Sequence, residues 1–216
     1  AYALRKQYTI SIDGTVEDNM NHKEKILNYL KENNGVITTQ YCKEEGIPRV
    51  YLTRLVEENI LSRVDRGIYI SKQGDYDEYY FFQHKFKKTV FSYETALYLQ
   101  GLTDKIPQLI EASVPYSYKI NNLPNNVKLY YVKSDISDMG AIEVKTIYQN
   151  KVRAYNIERI ICDFVQNKNN IDPEVYVKTI RGYASSKNSD INKLFIYAKK
   201  MGIIEKVRST MEVIYE

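Results

Sequence analysis

Four arginines lie within eighteen residues of one another, and this spacing suits the binding of a polyanion. Arg49, Arg54, Arg63 and Arg66 occur in a stretch that also carries a regular set of apolar residues. A guanidinium group is always charged and can bond two acceptors of a phosphate or of a guanine edge at once. The stretch therefore has two interpretations from its residues alone: a solvated surface, or a surface that binds nucleic acid.

A helix at residues 48–58 is the element that we expect to position the first two arginines. Pro48 suits the first turn of a helix, where its missing N–H is not needed. Leu52, Leu55 and Val56 then recur at the spacing of one buried face. The opposite face carries Val50, Thr53, Arg54 and Glu57, with Arg49 in the first turn beside the helix N-terminus, where a phosphate is favoured.

Residues 20–74 have the element order of a winged helix-turn-helix domain. The patterns predict three helices followed by a two-stranded hairpin, with Gly46 closing the second helix in a left-handed conformation. The predicted bounds are Asn21 to the turn at 33–35, Thr38-Thr39 through Glu45, 48–58, and strands at 60–64 and 67–70.

In such a domain the second helix of the pair lies in the major groove, and the hairpin lies beside a phosphate strand or the minor groove. The net charge of this domain gives weaker support for DNA binding than the four arginines alone. Residues 20–75 carry nine Lys and Arg against eight Asp and Glu. A winged helix can also be a protein-binding module. We favour DNA, because the basic residues gather at the start of the third helix and on the hairpin. The predicted DNA-binding residues are Thr38, Thr39, Gln40, Lys43, Arg49, Val50, Thr53, Arg54, Arg63, Arg66 and Lys72.

Residues 75–216 form a second domain in this interpretation, mixed α/β and ending in helices, so that the whole chain is α+β. Residues 75–80 are interpreted as an acidic and aromatic connector. After them the patterns predict a helix at 81–88, a strand at 90–91 and a helix from Ser92 through Leu99. Strands follow at 110–114, 128–132, 142–148 and 152–155, then helices at 157–166, from Asp172, at 191–201 and at 203–215.

No catalytic constellation is present in the sequence, and we therefore expect no enzyme, no cofactor and no metal. Phosphate-binding and nucleophile motifs are missing, and only two histidines occur. Cys42 and Cys162 are far apart and fall on apolar helix faces, which indicates buried, inert thiols. Arg159 and Asp163 are four residues apart on one helix and can pair. The pair is interpreted as a helix-surface ion pair, with a polar patch used by the second domain as the alternative.

The overall composition is that of a reduced, cytosolic globular protein. Of the 216 residues, 44% are hydrophobic and 27% are charged, with a formal net charge of +4. No apolar run approaches the ~20 residues that a membrane helix needs. Residues 1–19 begin with Ala rather than Met and alternate like a strand at 8–12. We interpret them as an expression-derived or translated upstream tail in preference to a native functional arm.

The chain resembles the AbiEi family of antitoxin-type transcriptional regulators, which belong to bacterial abortive-infection toxin–antitoxin operons. The resemblance covers residues 20–216. Its N-terminal part is the winged helix at residues 26–70, ILNYLKENNGVITTQYCKEEGIPRVYLTRLVEENILSRVDRGIYI. The more specific segments are SYETALYLQGLTD at 92–104 and IEVKTIYQNKVRAYNIERIICDFV at 142–165.

This resemblance implies two activities. The winged helix would bind inverted repeats in double-stranded DNA of the operon's own promoter and repress it. The second domain would neutralise a nucleotidyltransferase-like toxin in phage defence, as a type IV antitoxin that forms no stable complex with the toxin. The alternative is a protein-interaction module that binds the toxin directly, with the winged helix as scaffold. The antitoxin-domain candidates are Ser92, Glu94, Tyr155, Glu158, Arg159 and Asp163.

Overall fold

The computed structural model describes residues 21–215, so the predicted tail at 1–19 and its strand lie outside the described residues. The chain divides into two compact units, the first ending at Tyr76 and the second beginning at Asp77. Both units contain helices and sheets, and the α+β class expected from the sequence is confirmed.

The first unit has three helices and a three-stranded antiparallel sheet among its described residues. The strand order β1-β3-β2 places β3 at the centre, between β1 and the hairpin partner β2. The elements are α1 (His22–Glu32), β1 (Val36–Thr38), α2 (Thr39–Glu44), α3 (Val50–Glu57), β2 (Leu61–Asp65) and β3 (Ile68–Ser71).

One core holds this unit together, and it is built from the apolar faces that the sequence predicts. Ile26 of α1, Cys42 of α2, and Leu52 and Leu55 of α3 are fully or almost fully buried in it. Burial of side chains of this kind contributes about 1.5–3 kcal/mol each. Asn21 and Thr38 cap α1 and α2 by accepting backbone N–H bonds, as expected of these residue types.

Strand β1 was not anticipated from the sequence. Three residues, Val36 to Thr38, pair with Ile70 to Ile68 of β3 and extend the hairpin into a sheet. Such a short strand has no period of its own, so only its pairing partner reveals it. Its pairing brings the start of α2 close to the β2–β3 turn.

The second unit is built on a five-stranded mixed sheet of order β6-β5-β4-β8-β7. Strands β5 and β6 are parallel, β4 is antiparallel to β5 and parallel to β8, and β7 is antiparallel to β8. The strands are β4 (Val90–Phe91), β5 (Ile110–Pro115), β6 (Val127–Val132), β7 (Ala141–Lys145) and β8 (Lys151–Tyr155).

Six helices accompany this sheet within the described part of the unit. The central one, α6, packs against α5, α7, α8 and α9, and every residue from Glu158 to Val165 is buried. The helices are α4 (Glu78–Lys85), α5 (Tyr93–Leu99), α6 (Ile157–Gln166), α7 (Pro173–Ser185), α8 (Ile191–Met201) and α9 (Ile204–Tyr215).

The predicted connector at 75–80 and the helix at 81–88 are wrong in their bounds. Helix α4 begins at Glu78, because Asp77 is buried and accepts the Tyr80 N–H at 3.1 Å. The same carboxylate also accepts bonds from Thr146 Oγ1 at 2.5 Å and Asn150 Nδ2 at 2.8 Å. Asp77 is therefore a structural cap and not part of a connector. Its role depends on bonds to the distant turn at 146–150, which the local sequence does not reveal.

No helix among residues 21–215 combines the length and the apolar character needed to cross a lipid bilayer.

Candidate nucleic-acid interface

The outward face of α3 carries the residues that the sequence predicts for DNA contact. Thr53 and Arg54 are exposed, and Val50 is 48% exposed, although it is a large apolar side chain. The opposite face is closed, with Leu52 and Leu55 buried. The Arg54 guanidinium carbon lies 5.6 Å from the centre of the half-buried Tyr51 ring, which leaves the charged group at the surface.

The first turn of α3 is closed by backbone hydrogen bonds and not by a side chain. Arg49 occupies the cap position with an αR backbone, and no side chain caps the helix there. The amides of Tyr51 and Leu52 bond the carbonyls of Pro48 and Arg49. An exposed arginine beside a helix N-terminus is a favourable place for a phosphate, because the guanidinium and the helix dipole both favour negative charge.

Helix α2 contributes a mixture of structural and surface residues. Thr38 is buried, and its hydroxyl oxygen accepts the Tyr41 N–H at 3.1 Å, so this predicted contact residue serves as a cap. Thr39 is half-buried, and its N–H donates to the Gly67 carbonyl at 2.8 Å. Gln40 is exposed and donates to Glu44 at 2.6 Å, while Lys43 is exposed.

The β2–β3 hairpin presents the remaining charged residues. Arg63 is exposed, and its Nε donates to the Asp65 carbonyl at 3.3 Å, close to the irregularity in the β2–β3 register. Arg66 and Lys72 are also exposed. Ten of the eleven predicted contact residues thus reach the surface at least in part. Thr38 does not.

One of the acidic residues that count against DNA binding is neutralised by an ion pair. Glu58, at the end of α3, pairs with Lys23 of α1 at 2.5 Å. Both side chains are exposed, so this pair adds little stability. It does reduce the negative charge beside α3, which the sequence could not reveal because the partners are 35 residues apart.

Gly67 allows the hairpin to lie against α2, and its replacement tests that contact. Its φ is +82°, and a Cβ there would lie 2.7 Å from Thr39 Oγ1. We expect Gly67→Ala to lower the free energy of unfolding by about 2–3 kcal/mol, since backbone strain and the close contact add. Urea denaturation followed by circular dichroism measures this.

Gly46→Ala is the matched control for that variant. Gly46 has a φ of +65° but nothing within 4 Å of an added Cβ. Its loss should be the backbone strain alone, about 1 kcal/mol. Equal losses in the two variants would contradict the proposed contact with Thr39.

The antitoxin-domain candidates lie around α5 and α6 of the second unit, mostly inside its core. Tyr155 is buried and donates to the Ser137 carbonyl, and buried Glu158 accepts the Asp190 N–H. Ser92 is buried at the α5 cap position without making a side-chain cap bond. Glu94 alone is half-exposed, with Lys105 at 3.5 Å.

The Arg159–Asp163 ion pair forms, but its interpretation as a surface pair is wrong. Arg159 is fully buried and donates from Nε to Asp163 Oδ1 at 3.0 Å. Its Nη1 donates to the carbonyls of Ile136 at 2.7 Å and Met139 at 3.1 Å, and its guanidinium carbon lies 4.2 Å from the centre of the Tyr155 ring. Arg159 therefore holds the segment before β7 against α6.

The two partners respond differently to burial: in spite of desolvation, the charge of Asp163 keeps the pKa of Arg159 raised, whereas burial decides the pKa of Asp163. Desolvation raises the pKa of Asp163 to about 6, although the charge and hydrogen bond of Arg159 oppose the shift. Nearby Tyr93 has a left-handed φ of 51°, and its ring stacks on that of Tyr130 with ring centres 3.8 Å apart. The two cysteines are buried as predicted, and desolvation raises the pKa of Cys42 to about 11 and of Cys162 to about 12.

A groove of about 550 Å³ opens between α5, the loop that follows it and α7. Its apolar wall includes Leu97, Ile157 and Val175, and Gly182 leaves it open because nothing lies within 4 Å of an added Cβ. Lys105, Lys178, Asp172 and Glu174 line it with charges of both signs. No sequence pattern predicts this groove, because its wall residues come from three separate segments.

Residues 24–72 match the family model described as "Transcriptional regulator, AbiEi antitoxin". This confirms, for that segment, the resemblance seen in the sequence. The crystal structure of RV2827C protein from Mycobacterium tuberculosis is similar, with 12% sequence identity and a TM-score of 0.48, over 87% of this chain and 79% of that chain. No curated protein matches the chain.

Proposed function

We propose that this chain, which belongs to the AbiEi family of antitoxin transcriptional regulators through residues 24–72, binds double-stranded DNA through a winged helix-turn-helix in its first unit. Helix α2, the turn after it and α3 would be the helix-turn-helix, and the β2–β3 hairpin the wing. The target would be inverted repeats in the promoter of its own operon, and binding would repress transcription in the cytoplasm.

The outward face of α3 carries this proposal. It places Val50, Thr53 and Arg54 on one exposed side of a helix whose other side is buried. A bidentate guanidinium suits guanine, and the methyl groups of Thr and Val suit thymine. Arg49 at the helix start and Arg66 on the hairpin supply charge for the phosphates on either side. The proposal assigns no reaction to the chain.

The salt dependence of binding to the upstream region of the operon tests this proposal. We expect the full chain to shift a duplex of that region, with affinity falling steeply as salt rises, because each phosphate contact releases counterions. The measurement is fluorescence anisotropy with the upstream duplex at several salt concentrations. A scrambled duplex of equal length serves as the control. Equal affinity for the two duplexes would contradict operator recognition.

The second unit is proposed to oppose the action of a nucleotidyltransferase-like toxin encoded next to this gene, as a type IV antitoxin. The operon arrangement and phage defence belong to the same proposal. Its support is the family match, which lies in the first unit at residues 24–72 and whose description names an antitoxin. Growth rescue on co-expression with the neighbouring gene is its direct test.

Direct binding of the toxin is a second candidate, which the groove beside α7 favours. Leu102 is half-exposed at the groove, and Ile106 in the same loop is 67% exposed. An exposed apolar side chain such as Leu102 on the wall of a groove is typical of protein contact. Co-purification of a stoichiometric pair with the toxin would support this candidate. Growth rescue without any complex would support the type IV mechanism.

A further inference from the structure

We infer that the second unit carries a separate site for single-stranded nucleic acid, at one end of its five-stranded sheet. The site is the Lys/Tyr rim, defined as Lys87, Lys88, Tyr116, Tyr118, Tyr131 and Lys133. It goes beyond duplex recognition by α3, because it lies in the other unit and uses a different chemistry.

The sheet register brings these residues together. Tyr131 of β6 pairs with Val114 of β5, and the Tyr116 N–H donates to the Val132 carbonyl at 2.9 Å. Val90 of β4 pairs with Ser113, so the same antiparallel register, continued by two residues, places Lys88 across from Pro115. The carboxyl ends of β5 and β6 and the start of β4 therefore meet at one edge.

Two tyrosine rings stand out of this edge with unusual exposure. Tyr116 is 68% exposed and Tyr131 is 46% exposed. Their ring centres are 6.2 Å apart and their planes differ by only 18°. Two nearly parallel, solvent-facing rings form a platform for a flat aromatic group, and every nucleobase has such a face.

Lysines add positive charge at this end of the sheet. The Lys88 ammonium group lies 5.7 Å from the centre of the Tyr118 ring, and Lys133 directly follows β6. Lys87, Lys88 and Lys133 are exposed, and none of them forms a salt bridge with any residue between 21 and 215. Asp135 lies two residues beyond Lys133.

Neighbouring cations on the same unit are engaged instead. Lys128 lies 3.8 Å from Glu111, and Lys151 lies 2.8 Å from Glu143. The rim lysines therefore remain available to a polyanion next to the exposed rings, whereas Lys128 and Lys151 are held by carboxylates.

Exposed tyrosine rings beside the rim lysines favour the binding of a single strand over that of a duplex. A duplex hides its base faces in the stack and offers mainly phosphates and groove edges to a protein. Exposed rings have a binding role only where bases are unstacked, as in single strands, loops and ends. RNA and DNA single strands share this chemistry, and the 2′-hydroxyl distinguishes them.

Binding of labelled oligo(dT) and oligo(rU) of about twelve nucleotides to the full chain tests the inference. We expect Tyr116→Ala with Tyr131→Ala to weaken binding at least about tenfold, and Tyr116→Phe with Tyr131→Phe to preserve it, since stacking needs the ring and not the hydroxyl. Lys88→Ala with Lys133→Ala should reduce the slope of log affinity against log salt by about 1.4. The oligonucleotide that binds more tightly shows whether the site prefers single-stranded DNA or RNA.

Matched variants separate this site from others. Lys199→Ala with Lys200→Ala removes the same charge from exposed positions of α8 and should have little effect. Arg49→Ala, Arg54→Ala and Arg66→Ala together should leave single-strand binding intact, so failure here is distinct from failure of duplex binding by α3. Equal binding by the Ala and Phe pairs would overturn the inference. So would equal competition by a duplex or by polyglutamate, which would indicate a surface that recognises charge alone or an acidic protein.

Discussion

Replacing Arg49, Arg54 and Arg66 together with alanine should weaken binding to the promoter duplex by at least about a hundredfold at physiological salt. Each phosphate or base contact from an arginine contributes about 1–3 kcal/mol, and these three lie on separate parts of the proposed interface. All three side chains are exposed, so the variant should fold normally. Anisotropy with the upstream duplex measures the loss, and circular dichroism checks the fold.

Arg54 alone separates base reading from phosphate contact. Arg54→Ala should cost about 1–3 kcal/mol and relax the preference at one base pair. Arg54→Lys keeps the charge but cannot bond guanine through two donors, so it should lose specificity and keep the salt slope.

Lys31→Ala is the control for both variants, because Lys31 is exposed on α1 and outside the proposed interface. Its effect on operator binding should be small. Unchanged binding in the triple arginine variant would contradict the proposal that α3 and the hairpin bind DNA.

Arg159→Met should lower the free energy of unfolding of the second unit by about 3–5 kcal/mol, the largest stability effect that we expect in this chain. The variant leaves the carbonyls of Ile136 and Met139 without their side-chain donor and leaves Asp163 without its cation. Breaking a buried pair on one side typically costs this amount. Urea denaturation measures it, with hydrogen exchange in α6 as a local readout.

Asp163→Asn should change the dependence of stability on pH. The pKa of Asp163 is about 6 in the folded chain, above its ordinary value of 3.8, because the carboxyl is desolvated. The folded state therefore holds this proton more tightly than the unfolded state. The resulting stabilisation is complete below about pH 4 and is lost as the pH rises through about 6, a change of as much as about 3 kcal/mol.

The variant and the original chain should therefore differ in slope between about pH 4 and pH 6, since asparagine does not titrate. Replacing both Arg159 and Asp163 with apolar residues should recover part of the loss seen in Arg159→Met, because no unpaired charge remains. Identical pH dependence in Asp163→Asn and the original chain would contradict the raised pKa. A negligible loss in Arg159→Met would contradict the clamp on the segment before β7.

The sequence by itself determined the elements whose signals are local. The apolar period of α3 and the predicted helix starts at Asn21 and Asp172 give bounds that the structure reproduces within a few residues, and so do the predicted helices at 157–166 and 191–201. These features depend on neighbours within one turn of helix, so they need no knowledge of the fold. The exposure of Arg54 follows from the same period.

Only the tertiary structure decided what depends on partners distant in the chain. The spacing of Arg159 and Asp163 predicts that they pair, but α6 is enclosed by four helices, and the carbonyls that receive the guanidinium come from residues 136 and 139. Strand β1, the buried cap Asp77 and the Lys/Tyr rim arise in the same way, from contacts between residues 15 to 73 positions apart in the chain. Sequence periodicity reports which face of an element is apolar, whereas burial of a charge depends on how many elements pack around it.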